Sequence, residues 1–167
     1  MQKAICVCAI ALIVTSCSHT YYIVRHAEKA VPSPGVTMST PDDPPLSDVG
    51  AKRAEALKEV LKNKNITNIY STNTNRTRST AEPLSKSAGL TIQTYGPRPD
   101  SIFINNVKKL KGNTLIVGHS NTVDEVVNGL VNQQKLSDLA DSEYDNLFVV
   151  KYKNFLGKRI KYERQKY

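Results

Sequence analysis

Two histidines and two arginines carry the chemistry available to this chain. Arg25-His26-Ala27 follows the apolar run Tyr21-Tyr22-Ile23-Val24, and His119-Ser120 follows Leu115-Ile116-Val117-Gly118. Arg76 lies in a polar turn between them. An arginine beside a histidine where a buried strand runs out supplies a fixed cation and a titratable nitrogen at one point, which suits chemistry on phosphate. Alone, one such dipeptide says little. A second strand-end histidine and a further arginine make a candidate anion site.

The elements that must position these groups follow from hydrophobic periodicity. Thr20 to Arg25 is β-branched and aromatic, the pattern of a strand covered on both faces. Residues 30–45 hold five prolines and Gly35, which implies a surface loop beside the strand end that could cover a substrate. Ser47-Asp48 starts a helix to about Lys64, with Val49, Ala54, Leu57, Val60 and Leu61 expected on its buried face. Ile66–Ser71, Leu90–Tyr95 and Asn113–Gly118 read as strands, and helices are expected from about Asn75 to Ala88 (closed by Gly89), Asp100 to Leu110 and Thr122 to Val131. Asn146–Lys153 and Lys158–Glu163 read as a hairpin or two edge strands, whose lysines discourage strand-to-strand aggregation.

This alternation predicts a three-layer α/β/α sandwich with a mostly parallel central sheet. Ligands of parallel sheets bind beyond the carboxyl ends of the strands. His26 and His119 are therefore expected to face one pocket, with Arg76 on the same rim.

Length and charge narrow the setting. A chain of 167 residues with 40% hydrophobic content suits one domain with a real core, and a formal charge of +8 favours anionic partners. Met1-Gln2-Lys3 and the apolar stretch from Ala4 to Val14 read as a signal peptide, too short for the ~20 residues of a spanning helix. Val14-Thr15-Ser16-Cys17 resembles a bacterial lipoprotein cleavage box; the plainer alternative is an ordinary signal peptide that contains cysteine. The expected division is a signal peptide over 1–16, a lipid-anchor linker over 17–19 that includes His19, and one domain over 20–167. Loss of Cys6 and Cys8 leaves Cys17 alone, so the mature domain is expected to form no internal disulfide. The expected location is the bacterial envelope, lipid-anchored at Cys17 and facing the periplasm or the exterior.

Four segments carry a family resemblance. Arg25-His26-Ala27-Glu28 resembles the Arg-His-Gly signature of the histidine phosphatase superfamily, the phosphoglycerate-mutase-like proteins, with alanine in place of glycine. Pro45-Leu46-Ser47-Asp48-Val49-Gly50 is similar to that family's first loop-to-helix junction. The stretch from Tyr70 to Ala81 resembles the segment bearing its second arginine, which places that role on Arg76 and not on Arg78. Val117-Gly118-His119-Ser120-Asn121 resembles the second histidine motif.

The resemblance implies a phosphoglycerate-mutase-like fold and a phosphoric monoester hydrolase with His26 as nucleophile. A neutral imidazole can attack phosphorus and form a phosphohistidine, which water then hydrolyses. Arg25 and Arg76 would clamp the phosphoryl oxygens, His119 would donate to them, and Ser120 could join an anion-binding helix terminus. Lys29 is a further candidate phosphate ligand or a solvated lysine. The proton donor to the leaving oxygen falls on Asp100, whose alternative role is a helix N-cap. Glu28 is a lesser candidate at the site, alternatively a carboxylate that holds Arg25 or Lys29 in place. Neither metal nor cofactor is required, and nucleic acid is not an expected partner. Asp124 and Glu125 read as exposed helix carboxylates.

A mutase fits poorly, because the chain is short and lacks insertions that could trap an intermediate. The leading expectation is a membrane-tethered phosphatase acting on a phosphorylated substrate. The alternative is a non-catalytic envelope lipoprotein that binds an anionic ligand in the same pocket.

Overall fold

The computed structural model describes residues 17–32, 42–154 and 157–167. The expected signal peptide and the middle of the proline-rich loop, 33–41, lie outside the described residues.

The β-branched and aromatic run after Thr20 is the centre of strand β1 (Cys17–Arg25). It is followed by α1 (Asp48–Leu61), β2 (Ile66–Thr72), α2 (Asn75–Ala88), β3 (Ile92–Tyr95), α3 (Ser101–Val107), β4 (Asn113–Gly118), α4 (Val123–Val131), β5 (Asn146–Asn154) and β6 (Lys158–Lys166). The strands form one sheet in the order β3-β2-β4-β1-β5-β6. β1 to β4 run parallel, and β5 and β6 are antiparallel additions on the β1 side. The result is the expected three-layer α/β fold, with a mixed six-stranded sheet between two helix pairs.

Period-two alternation sorts the core onto the two faces. Tyr21, Ile23, Ile116, Phe148 and Val150 pack with Ile104 and Val107 of α3 and Val126, Val127 and Leu130 of α4. Tyr22, Val24, Leu115, Val117, Leu147 and Val149 pack on the opposite face with Leu57 and Leu61 of α1 and Ala81 and Leu84 of α2. A slip of one residue in β1 would exchange the two sets, so the register that delivers Arg25 and His26 to the strand end is fixed by burial.

The helix starts are set by side-chain caps. Ser47 accepts from the Gly50 amide, Thr74 from the Thr77 amide and Asp100 from the Phe103 amide, while Gly89 closes α2 in the left-handed conformation. Gly50 is required by contact. A Cβ there would stand 2.1 Å from the Glu28 carbonyl oxygen, so the start of α1 lies directly against the chain just after the nucleophile candidate.

Several expectations need correction. The buried face of α1 consists of Gly50, Ala54, Leu57 and Leu61, whereas Val49 and Val60 are exposed, because the helix is rotated away from the phase inferred for the valines. β1 begins at Cys17, so residues 17–19 are strand paired to β5 and not a linker; the His19 ring stacks on Tyr152 and its Nε2 meets the Tyr21 hydroxyl at 2.9 Å. β6 continues to Lys166 and is the sheet edge, but β5 is interior. Asp124 is buried, not exposed, and one of its carboxylate oxygens has no hydrogen-bond partner among the described residues. No helix among the described residues is long and apolar enough to cross a membrane.

Candidate functional site

The parallel strands β1, β2 and β4 end side by side, with Arg25 opposite Gly118 and Ser71 opposite Val117. The residues that follow them meet in a cavity of about 440 Å³ lined by Arg25, His26, Lys29, Arg76, His119 and Ser120, together with Thr74, Pro97, Asn121 and Asp141. Six of the residues singled out in the sequence thus share one site. Glu28 and Asp100 are not among its lining.

His26 is the most enclosed of the titratable groups here, at 4% exposure. Its amide donates to the Gly118 carbonyl at 2.8 Å, which locks it to the end of β4, and the Ala27 amide donates to Thr80 Oγ1 at 2.9 Å. Its Nδ1 lies 2.8 Å from the Ala27 carbonyl oxygen. A carbonyl only accepts, so Nδ1 carries the proton and Nε2 keeps a lone pair. Burial lowers the His26 pKa to about 3; the Ala27 carbonyl opposes it, and the nearby His119, Arg25 and Arg76 each add a smaller lowering. The ring is therefore neutral at physiological pH and free to attack through Nε2.

Its neighbours are held from several directions. The His119 ring centroid lies 5.4 Å from that of His26. Its Nε2 meets Thr72 Oγ1 at 2.8 Å, and its amide donates to Thr122 Oγ1 at 2.9 Å. Burial, then Arg76 and Arg25, lowers the His119 pKa to about 4. A dianion entering between the rings would reverse that preference by supplying negative charge where two guanidinium groups now repel a proton.

Arg25 is 5% exposed and lies beneath the segment between α4 and β5. Its Nη1 donates to the Ala140 and Asp141 carbonyls at 2.9 and 3.1 Å, its guanidinium lies 4.2 Å from the Tyr144 ring centroid, and Nη2 reaches Asp141 Oδ1 at 3.6 Å. That segment is tied down in turn: the Leu139 amide donates to the Ser120 carbonyl, and Glu143 pairs with Arg164 of β6. Arg76 reaches the cavity from the first turn of α2. Its Nη1 meets Asp43 Oδ1 at 3.1 Å, and both Asp43 oxygens accept from the Asn75 amide at 3.0 and 2.9 Å.

The two carboxylates considered for the site, Asp100 as proton donor and Glu28 as a lesser candidate, are engaged elsewhere. Asp100 caps α3, its Oδ1 accepting from the Phe103 amide at 2.7 Å. Glu28 is bound by Arg53 of α1 through Nε at 2.9 and 2.8 Å and Nη2 at 2.6 Å, so it secures α1 rather than Arg25 or Lys29. Asp141 is the carboxylate that lines the cavity. Sequence reasoning missed it, with Tyr144 and Asp43, because none sits in a motif. Lys29 is exposed at the loop neck, where it bridges to Leu46, and Ala30 N–H donates to the Pro45 carbonyl at 2.8 Å. No group of three or more histidine, cysteine, aspartate and glutamate residues that could hold a metal occurs among the described residues.

With that geometry in view, residues 21–96 match the sequence model of the histidine phosphatase superfamily (branch 1). Among curated proteins, none matches the chain in sequence. The fold is similar to that of a protein assigned as the phosphohistidine phosphatase SixA of Agrobacterium tumefaciens, with a TM-score of 0.61 and 18% identity over 87% of this chain and 97% of that one. It is also similar to mycobacterial glucosyl-3-phosphoglycerate phosphatase with inorganic phosphate, with a TM-score of 0.62 and 15% identity over 86% of this chain and 95% of that one. For the protein histidine phosphatase SixA complexed with tungstate, the TM-score is 0.63 at 15% identity, over 88% and 96% of the two chains.

Proposed function

We propose that this chain, a member of the histidine phosphatase superfamily, hydrolyses phosphomonoesters through a phosphohistidine on His26. The observation that carries the reading is the bond from His26 Nδ1 to the Ala27 carbonyl, which leaves Nε2 unprotonated between Arg25, Arg76 and His119.

In the first step Nε2 forms a bond to phosphorus while the phosphorus–oxygen bond to the leaving group breaks. Charge spread over the equatorial oxygens is met by Arg25, Arg76 and, when it takes a proton, His119. The departing oxygen needs a proton, and the proposed donor is the solvent-exposed carboxyl group of Asp141, which lines the cavity 3.6 Å from Arg25 Nη2. Water then attacks phosphorus and gives a proton to the Asp141 carboxylate as the nitrogen–phosphorus bond breaks, which regenerates phosphate, neutral His26 and the protonated Asp141 carboxyl group. Ser120 and Lys29 act as further ligands to the anion.

The chain is further proposed to be exported and lipid-anchored at Cys17. What supports this is the basic start, the apolar run from Ala4 to Val14 and the Val14-Thr15-Ser16-Cys17 box. Phosphate release from an aryl phosphate between about pH 4 and 8 tests the enzymatic reading. Release by the wild type that is lost in His26→Ala is expected; no release from either would leave an anion-binding lipoprotein as the better account. Metabolic labelling with a fatty-acid analogue tests the anchor, with loss of label in Cys17→Ala expected.

A further inference from the structure

The two ends of the sheet differ in charge. Carboxylates gather at the pocket-bearing end, where Asp43 accepts from the first amide of α2, Asp100 caps α3 and Asp141 lines the cavity. At the opposite end, the connections that enter the parallel strands, residues 62–65, 89–91 and 108–112, contain no Asp or Glu, and neither does the sequence from 153 to 159, which includes the end of β5 and the start of β6. They and the residues just after α4 carry Lys64, Lys109, Lys111, Lys135, Lys153 and Arg159, all exposed and none with an acidic partner among the described residues. Lys62, beside them, is paired with Glu59 one turn back in α1.

Hydrogen bonds and strand pairing join segments that carry these cations at one end of the sheet. Asn113 at the start of β4 accepts from the Thr20 amide at 2.8 Å and donates to the Lys64 carbonyl at 2.6 Å. Asn68 donates to the Lys111 carbonyl at 3.2 Å, and Lys108 Nζ donates to Asn132 Oδ1 at 2.7 Å, which joins the ends of α3 and α4. Lys153 pairs across the sheet with Ser18 on one side and Arg159 on the other.

We propose that this basic end is a docking surface for a bilayer containing anionic phospholipid. Charge complementarity accounts for the attraction, and juxtamembrane lysines and arginines act together on such surfaces. The choice of a lipid surface over other polyanions rests on the tethered reading: β1 starts at Cys17, at this same end, and the apolar run from Ala4 to Val14 precedes it. Residues 17 to 26 are separated by nine steps of extended chain, so the pocket stands about 30 Å from the anchor point. It opens away from the docked bilayer, toward dissolved phosphomonoesters.

The test uses the full chain and a Lys109→Gln/Lys111→Gln/Lys153→Gln variant. Binding is measured to vesicles of phosphatidylcholine alone and with about 30% phosphatidylglycerol, at about 0.1 M salt. The apolar run contributes equally to both vesicles, so the preference between them is the readout. The wild type is expected to prefer the anionic vesicles, and each neutralised lysine to weaken that binding roughly fivefold, or about a hundredfold for the three. Thermal melts check that the variant is folded. No preference in the wild type, an undiminished preference in the variant, or tighter binding to a short DNA duplex at the same salt would overturn the proposal. Neither His26 nor Cys17 chemistry enters this readout, so failure of hydrolysis or of lipidation is read separately from failure of the docking itself.

Discussion

Replacing His26 by asparagine should flatten the acid limb of the stability profile. The unfolded imidazole titrates near its ordinary value of ~6.5, whereas the folded one is held to about 3, chiefly by burial. Between those values the unfolded state binds a proton that the folded state refuses. Stability therefore rises with pH through this window, and the contribution, complete above ~6.5, is lost as pH falls toward about 3. One group refusing one proton gives a slope of about 1.4 kcal/mol per pH unit. Two units below its ordinary value, at about pH 4.5, His26 alone should thus cost about 2–3 kcal/mol. His119, lowered to about 4 by burial and the two arginines, adds in the same direction and is common to both proteins. Urea unfolding of the wild type and His26→Asn at about pH 7.5 and 4.5 measures the difference between their losses. A wild type that loses about 2–3 kcal/mol more than the variant fits the neutral, buried nucleophile. Parallel profiles would mean that the imidazole is not held neutral and that its lone pair is not secured in this way.

Three further outcomes test the supports of the site. Arg25→Lys keeps the charge but gives up the planar fork over Tyr144 and at least one of the two carbonyl bonds from Nη1, so urea unfolding should show a loss of about 1.5–3 kcal/mol and kcat/KM should fall with it. Gly50→Ala forces a Cβ to within 2.1 Å of the Glu28 carbonyl oxygen, a backbone atom; overpacking should cost about 1–3 kcal/mol or more, and the displacement two residues from His26 should lower kcat as well. Asp141→Asn should slow hydrolysis of an alkyl phosphate by about a hundredfold or more while leaving a nitrophenyl phosphate far less affected, since only the poorer leaving group depends on the donated proton. Equal losses on both substrates would take that role away from Asp141.

Much of the fold was legible because its strands carry burial in their composition. β4 begins and ends where the apolar run from Asn113 to Gly118 does, and α2 is bounded by its Thr74 cap and by Gly89. The site was legible where residue type and strand end coincide, as at Arg25, His26 and His119. It was not legible where a contact is made by backbone. The carbonyls of Ala140 and Asp141 hold Arg25 across more than a hundred residues of sequence, and no side-chain pattern announces them. Tyr144 is likewise placed by the path of its segment over β1. In α1, the small residues Gly50 and Ala54 are buried where the larger Val49 and Val60 are not, because Gly50 must pass close to the Glu28 backbone and that contact sets the helix phase. Asp100 could cap or donate on sequence grounds alone, and the geometry of α3 gives it the cap.

The central claim is a covalent phosphoryl group on His26. Brief incubation with a substrate labelled in its phosphoryl group, rapid denaturation in base and peptide mapping would locate that group directly. The account predicts acid-labile, base-stable label on the peptide containing His26, present in the wild type and absent from His26→Ala. Label on a His119 peptide instead, or product release with no labelled enzyme at any time during turnover, would contradict it.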